Sequence, residues 1–272
     1  MDASLFRAFQ DLAYRQAGIR LSDAKRALLS ARVGRRMRAL KLPSERLYLE
    51  ALSKDESGRE LIHFLDAIST NFTNFFREPD HFALLERAAS EWLAAGQRRF
   101  RLWCAASSSG EEPYTIAMVL NDVFAGQTID LRILATDLST KVLLQAKEGV
   151  YAERQLEPVP SPLRRRFFEP AGDTRLDGRL FTVRPILRER ILFKRLNLSQ
   201  PPFPLKGPLD AIFCRNVMIY LAQPVRQAFV REAERLLRPG GLLFVGHAET
   251  LTGVPTGLKM LKPSVYRKAG GR

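Results

Sequence analysis

The stretch that most restricts the fold runs from Arg101 to Asp137. Leu102 to Ala106 is a short apolar run and predicts a buried strand. Ser107-Ser108-Ser109-Gly110 is a turn of small residues, and Pro113 opens a helical pattern carried by Ile116, Ala117, Val119 and Leu120. A second apolar run, Leu131 to Ala135, ends in Thr136-Asp137. Strand, tight turn, helix and strand, with an acid at the second tip, is the signature of an open parallel sheet. Such sheets bind ligands outside the carboxyl ends of their strands. Small side chains in the turn let a ligand approach the backbone, and a carboxylate on the next tip can accept both hydroxyl protons of a ribose. The stretch therefore predicts a nucleoside-containing cofactor.

Residues 1–69 read as helices only and predict a small helical domain. Leu5, Phe9, Leu12 and Ala13 share one face. Leu29, Val33, Met37 and Leu40 share another, on a helix begun at Ser22 and stopped before Pro43. Arg32, Arg35 and Arg38 lie on the opposite side of that second helix, with Arg36 near its edge. A solvated face and a docking surface for an acidic partner both account for them. Ser57 and Glu60 have capping-box spacing before a further helix. Residues 70–90 read as a linker and connecting helix, in which Asn, Thr and Arg alternate with aromatics before Pro79. Arg77 there could form a forked pair with a carboxylate.

The second domain is expected over 91–272. Ser139 caps a helix, and Leu180–Val183 with Ile191–Leu196 predict short strands of an inserted antiparallel piece, over approximately 170–196. Leu209–Cys214 is another buried strand and ends in Arg215-Asn216. A helix from Pro224 stops at Arg238-Pro239-Gly240-Gly241, a strand follows over Leu242–Val245, and Ser264–Arg267 predicts a last antiparallel edge strand.

With 272 residues there is room for one large domain or two, and 46% hydrophobic with 26% charged residues is a globular composition. No apolar run is long enough to span a bilayer, and the amino terminus lacks a secretory pattern, so a cytoplasmic location is expected. Cys104 and Cys214 fall in predicted strands and read as buried, reduced thiols. The net charge of +14 implies an acidic partner: nucleic acid, a membrane surface or an acidic protein.

Several chemistries are disfavoured. His63, His81 and His247 are far apart in sequence and share no metal-ligand spacing, so no metal is expected. The serines lack the Gly-x-Ser-x-Gly elbow. The turn has neither the Walker lysine nor the Gly-x-Gly-x-x-Gly spacing. Glu111 and Glu112 at the start of the helix would repel a pyrophosphate there. They suit a cationic, phosphate-free ligand, although simple capping of the helix dipole also explains them. S-adenosylmethionine fits: a ribose, an adenine, a sulfonium cation and no phosphate.

Taken together, these segments resemble the chemotaxis receptor methyltransferases of the CheR family. The matching pieces are Thr70 to Glu78, Ala105 to Tyr114, Ala135-Thr136-Asp137, Asn197-Leu198, Ile212 to Tyr220 and Gly246-His247-Ala248-Glu249. The resemblance implies a Rossmann-like methyltransferase fold, a mostly parallel doubly wound α/β sheet. It also implies an all-α amino-terminal domain and a small inserted β-subdomain. It implies S-adenosyl-L-methionine as cofactor and S-adenosyl-L-homocysteine as product, with no metal. Asn71, Thr73 and Arg77 would close over the cofactor, with Arg77 near its carboxylate and the transferred methyl. Glu112 and Asp137 would line it, Asp137 at the ribose. Asn197 and Leu198 would flank the adenine, Arg215 and Asn216 would lie at the fourth strand tip, and Tyr220 would reach the reacting centre. Arg77 and Tyr220 are thus the expected catalytic pair.

The family methylates glutamate side chains on the helical cytoplasmic domain of chemoreceptors. The resemblance therefore implies docking through the basic second helix (Arg32, Arg35, Arg36 and Arg38) and recruitment to membrane-bound receptors. In some members the β-subdomain also binds a pentapeptide at the receptor's tail. A free glutamate has a pKa near ~4.3, so the acceptor is already ionised at pH 7 and needs no general base. A nucleic-acid methyltransferase, prompted by the charge, is the main competing reading. Against it, no aromatic-rich basic groove and no Asn-Pro-Pro-Tyr-like motif are evident, so no specific nucleic acid is expected. A non-catalytic docking module is the third.

Overall fold

The computed structural model describes residues 1–69, 71–175 and 178–270. Thr70, which opens the Thr70–Glu78 segment, lies outside the described residues, as do Leu176 and Asp177 of the inserted region and Gly271 and Arg272 at the end.

The amino-terminal part is helical: α1 (Ala3–Ala17), α2 (Arg26–Leu40), α3 (Glu45–Ser53) and α4 (Arg59–Ile68). Its core is aromatic, with the Phe9 ring centroid 6.1 Å from Tyr48 and 5.7 Å from Phe64. Leu29 and Val33 are buried as the periodicity of α2 requires, but Leu40 at its last turn is exposed. Ser22 does not start α2; a 3₁₀ turn over Asp23–Lys25 intervenes. Nor do Ser57 and Glu60 form a capping box. The Asp55 carboxylate accepts the backbone N–H groups of Glu60 and Leu61, which frees the Glu60 side chain to bind Arg36 and the Tyr48 hydroxyl.

After α5 (Pro79–Ala94) the chain enters the sheet domain. Its elements are β1 (Arg99–Cys104), α6 (Glu111–Val123), β2 (Asp130–Asp137), α7 (Thr140–Glu148), β3 (Val150–Ala152), α8 (Ser161–Phe167), β4 (Phe168–Arg175), β5 (Gly178–Val183), α9 (Pro185–Arg188), β6 (Ile191–Arg195), β7 (Leu209–Cys214), α10 (Gln223–Leu236), β8 (Leu237–Val245), β9 (Leu258–Lys262) and β10 (Val265–Lys268). Seven strands form one sheet in the order β6-β2-β1-β7-β8-β10-β9. The first five are mutually parallel, and β10 is antiparallel to both its neighbours.

Side-chain alternation fills a core on each face of this sheet. Phe100, Leu102 and Cys104 of β1, Phe213 of β7 and Phe244 of β8 pack on one side. Trp103, Ile212, Leu243 and Val245 pack on the other. That double burial is why these strands read as continuous apolar runs rather than as alternating ones.

Two sequence expectations need correction. Ile191–Leu196 was assigned to the inserted antiparallel piece, yet β6 pairs in parallel with β2 from Ile133↔Ile191 to Asp137↔Arg195 and forms one edge of the main sheet. Its alternation is that of an edge strand, with Ile191 buried and Leu192 exposed. The small antiparallel sheet has the order β3-β5-β4 and takes its third strand from Val150–Ala152 instead. The opposite edge of the main sheet is β9, a strand the sequence reading missed, so β10 lies one place inside it.

The β1–α6 turn depends on Gly110. Its φ is +102°, and a Cβ there would lie 2.7 Å from the Tyr151 hydroxyl and 2.9 Å from Ala146 Cβ. Gly110→Ala should therefore destabilise the fold by roughly 2–4 kcal/mol, from strain plus overpacking. Urea unfolding of the variant beside the wild-type protein measures this.

Candidate functional site

The crevice lies where the sheet topology predicts, outside the carboxyl ends of β1, β2 and β7. Ala105, Ala106 and Ser108 form its floor, and Asp137 and Leu138 come from the tip of β2. Arg215, Asn216, Val217 and Tyr220 come from the segment after β7, and Leu196, Asn197 and Leu198 from the segment after β6. The connecting segment contributes Asn71, Phe72, Thr73 and Arg77, and the helical domain adds Ile19, Leu21, Lys25 and Ile68. Every residue predicted for the site lines this one crevice.

Their side chains are engaged differently. Asp137 Oδ2 accepts the Ser108 backbone N–H at 2.9 Å and Oδ1 accepts that of Ser139 at 3.0 Å. Burial raises its pKa, while these N–H groups favour the charged form. Each oxygen keeps a further lone pair for a hydroxyl donor. Glu111 and Glu112 separate. Glu111 turns away from the crevice, is 2% exposed, and takes the Ser109 hydroxyl at 2.7 Å. Glu112 faces the crevice, with the Arg215 guanidinium on Oε2 at 2.8 Å and the Cys104 thiol donating to Oε1 at 3.0 Å.

Arg215 is the hub. Its side chain is 1% exposed and pairs with Glu112 at 2.8 Å and Glu78 at 2.9 Å. Its Nη2 also donates to the carbonyl of Arg77. Glu78 in turn accepts the Asn216 amide at 3.1 Å and the His247 backbone N–H at 3.2 Å. Burial alone would push the Glu78 carboxyl up; the Asn216 amide, the Arg215 charge and its hydrogen bonds outweigh it and hold the group down at about 2. Glu249 performs a similar service one strand over, accepting the backbone N–H groups of Asn216, Gly246 and Ile219. A Cβ on Gly246 would lie 2.5 Å from the Asn216 amide nitrogen, so the approach needs glycine. Glu78 and Glu249 belong to the motif segments, but nothing in the sequence gave them a role. The available clue was that a buried arginine demands carboxylates.

Arg77 itself is bound loosely. Its Nη1 donates to the Phe72 carbonyl at 3.0 Å, and its guanidinium carbon sits 5.7 Å from the Phe72 ring centroid. The forked carboxylate pair expected for Arg77 is made by Arg215 instead, and Arg77 faces the crevice. Its neighbours Phe76 (φ +54°) and Glu78 (φ +55°) are both left-handed, a strained backbone that the Arg215 bonds help to hold. Of the three segment phenylalanines, Phe75 packs edge-on against Tyr151 and Phe168, Phe76 packs against Phe82, and Phe72 is 76% exposed.

The helical domain is stitched on beside Tyr220. Arg20 N–H donates to the Tyr220 carbonyl at 2.8 Å and Ala222 N–H to the Gly18 carbonyl at 3.0 Å. The Lys25 ammonium stands 4.4 Å over the Tyr220 ring. Asn197 spends its amide on the Gln16 carbonyl at 2.7 Å and its oxygen on Ser199, so at this rim it braces the domains. Lys25, Ile19 and Leu21 were missed because only the docking of the two parts brings them here.

An open, mostly parallel α/β sheet, with a carboxylate on the second tip and a crevice at its rim that lacks a Walker lysine, fits the class of S-adenosylmethionine-dependent methyltransferases. Residues 71–267 match the family described as "CheR methyltransferase, SAM binding domain", and residues 4–69 match "CheR methyltransferase, all-alpha domain". The chain is 38% identical over 264 residues to Chemotaxis protein methyltransferase 2 of Pseudomonas aeruginosa, covering 97% of this chain and 92% of that one. It is 38% identical over 262 residues to the Chemotaxis protein methyltransferase of Escherichia coli, covering 96% and 89%. It is 34% identical over 264 residues to that of Borreliella burgdorferi, covering 94% and 91%. The protein belongs to the CheR methyltransferase family.

Burial raises the Glu111 carboxyl, so the folded state prefers it protonated. A carboxyl raised on folding lowers stability as pH climbs above its ordinary value of 4.5, and costs nothing well below it. Glu111→Gln should therefore melt like the wild type near pH 4 and above it at pH 7. Calorimetric melting curves at the two pH values test the sign.

Proposed function

We propose that this enzyme transfers the methyl group of S-adenosyl-L-methionine to glutamate carboxylates on the cytoplasmic helical domain of chemoreceptors, leaving S-adenosyl-L-homocysteine. The observation that carries the reading is the convergence of Asp137, Glu112, Arg77 and Tyr220 on one crevice. The crevice residues fit such a cofactor. Asp137 has unused lone pairs for a ribose, Ala105, Ala106 and Ser108 leave room beside the backbone, and Leu138, Leu196 and Leu198 offer an apolar slot beside Asn197 for a base. When bound, S-adenosylmethionine supplies an electrophilic methyl carbon on a sulfonium.

The protein's part is alignment and exclusion of water. The acceptor is ionised at neutral pH, so no residue needs to take a proton. Arg77, with no carboxylate partner among the described residues, steers the incoming anion and anchors the cofactor's carboxylate. Tyr220, with the Lys25 ammonium over its ring, orients the acceptor. Asn71 and Thr73 close the cap, and Arg215 and Asn216 fix the tip of β7. Glu112 places negative charge beside the crevice, where burial raises its pKa and Arg215 opposes the shift. Asp137→Ala should weaken binding of the cofactor by roughly 1–3 kcal/mol, from loss of its hydroxyl partners. Titration calorimetry with S-adenosylhomocysteine reads this, and unchanged affinity removes Asp137 from the ribose role.

Receptor docking falls to α2. Arg36 is taken by Glu60 in a forked pair at 2.9 and 2.6 Å, so it is withdrawn from the proposed surface. Arg35 and Arg38 are exposed, and Arg32 is half-buried with Nη1 on the Ser69 carbonyl. A receptor tail peptide would meet the small sheet, where β4 is an outer strand. Among the described residues no helix is long and apolar enough to cross a membrane. The proposed setting is the cytoplasm, with recruitment to membrane receptors through these contacts.

Incubation with radiolabelled S-adenosylmethionine and receptor-bearing membranes should yield base-labile methyl ester on the receptor band. Label on nucleic acid instead, or none on the receptor, counts against the reading. Arg35→Glu combined with Arg38→Glu should lower receptor methylation at least about fivefold, with S-adenosylhomocysteine affinity unchanged.

A further inference from the structure

The histidines that the sequence separates are brought together by the fold. His81 near the start of α5 and His247 after β8 have ring centroids 4.9 Å apart. One ligand-capable atom from each, with one from Glu78, forms a set whose members all lie within 4.8 Å of one another. None of the three lines the crevice, although Glu78 is one bond from it through Arg215.

The hydrogen bonds at His81 leave a place for a cation. The ring is fully buried. The Ser264 hydroxyl has one proton and donates it to the Pro263 carbonyl at 2.6 Å. With that proton on Pro263, the 2.7 Å contact between His81 Nε2 and the hydroxyl assigns Nε2 as the donor by hydrogen-bond accounting. A neutral ring protonated on Nε2 carries a bare lone pair on Nδ1. That Nδ1 has no hydrogen-bond partner and faces Glu78 Oε2 at 3.5 Å. A lone pair aimed at a carboxylate in a buried position is repulsive unless a second ring proton or a metal ion stands between them, and the His247 ring brought alongside supplies the further nitrogen that a metal ion would use.

We propose that Glu78, His81 and His247 bind a divalent transition-metal ion of the zinc class, with water in the remaining position. The donor set of two imidazoles and one carboxylate is that of an open zinc site. Tetrahedral zinc with bonds near 2.05 Å separates its ligands by roughly 3.4 Å. The Glu78–His81 gap of 3.5 Å already matches, and the His247 side chain, 51% exposed, is free to close the remainder. Each ligand has an outer partner: Ser264 on His81, Asp80 on His247 at 3.1 Å, and Arg215 with Asn216 on Glu78. Such partners fix ring orientation and tautomer. With its Nε2 on Asp80, His247 has Nδ1 left to ligate. The ion would tie the first turn of α5 to the loop after β8 and stiffen the Glu78 end of the Arg215 network.

The test uses tag-free, full-length protein stripped with chelator. Zn²⁺ is titrated in competition with a chromophoric chelator, and Co²⁺ binding is followed by visible absorption. The wild type should take one ion per chain, with the intense Co²⁺ bands of four-coordination. His247→Ala, at an exposed position, should keep the wild-type circular dichroism and lose at least about 100-fold in Zn²⁺ affinity. Asp80→Asn, which alters only an outer partner, should lose about tenfold. His63→Ala should bind like the wild type. A wild-type dissociation constant weaker than about 100 μM, equal binding by His247→Ala, or loss that follows His63→Ala would each overturn the site. Because the readout is metal affinity, its failure leaves the methyl-transfer reading untouched, and failure of methyl transfer leaves the metal result standing.

Discussion

A guanidinium sealed inside a protein is tolerable only where carboxylates surround it, and Arg215 imposes that condition on the whole rim. Its partners Glu112 and Glu78 lie 103 and 137 residues away in sequence. One comes from the first turn of α6, the other from the segment that caps the crevice. Losing a single partner of such a group costs about 3–5 kcal/mol, far more than the pair adds over an apolar substitute. The network therefore acts less as a source of stability than as a selector of geometry. The cap cannot adopt a second arrangement without stranding a buried charge. The left-handed backbone at Phe76 and Glu78 persists because Arg215 holds both the Glu78 carboxylate and the Arg77 carbonyl. Arg77 is consequently presented to the crevice by a rigid frame while its own side chain stays lightly bound.

The helical domain solves a different problem. An ionised carboxylate needs no base, so the remaining difficulty is bringing it, partly desolvated, to one point in space. The seam between Gly18–Arg20 and Tyr220–Ala222 makes the amino-terminal domain one wall of the crevice. Lys25 over the Tyr220 ring and Asn197 on the Gln16 carbonyl fasten that wall at two further points. The surface that would receive a receptor helix and the tyrosine that would meet its glutamate are thereby parts of one connected structure.

The parallel core was legible because both its faces are buried. Leu102–Ala106, Leu131–Ala135 and Leu209–Cys214 are too short for helices between their turn signals, and the tips they end in line the crevice. The edges were harder. β6 alternates because one of its faces meets solvent, and alternation cannot tell an edge strand of the main sheet from a strand of a small separate one. β9, reading Leu258-Lys259-Met260-Leu261-Lys262, has four of its five residues exposed, so burial left almost no imprint on it. Within the candidate site, the residues that line the crevice carried motif signals. Those that position them, Glu78, Glu249 and Lys25, have roles fixed only by tertiary contact. The separation of Glu111 from Glu112 follows from helical geometry, which points adjacent residues about 100° apart, but the sequence did not say which one would face the crevice.

The excess positive charge bears on the same question of substrate. Part of it lines a groove beside β6, where Arg101, Arg132, Arg190, Lys194, Arg195 and Lys206 stand with Glu189, and that groove is not the crevice. Arg99, Arg101 and Arg132 converge on Asp130 at the amino ends of β1 and β2, the end of the sheet remote from the crevice. Arg36 is consumed by Glu60, Arg238 by Asp210 and Arg235 by Glu232. A polyanion followed along its length would need an unbroken cationic track, since each neutralised phosphate adds to affinity. What the rim offers instead is local: Arg77 inside the crevice, Lys25 on the tyrosine, and the exposed Arg35 and Arg38 on α2. That pattern suits the proposed acceptor, an acidic side chain presented singly from a helical surface that would dock on α2. On the proposed reading, the overall charge would speed encounter with such a partner through long-range attraction, and the choice of carboxylate would rest on the cations at the crevice and on α2.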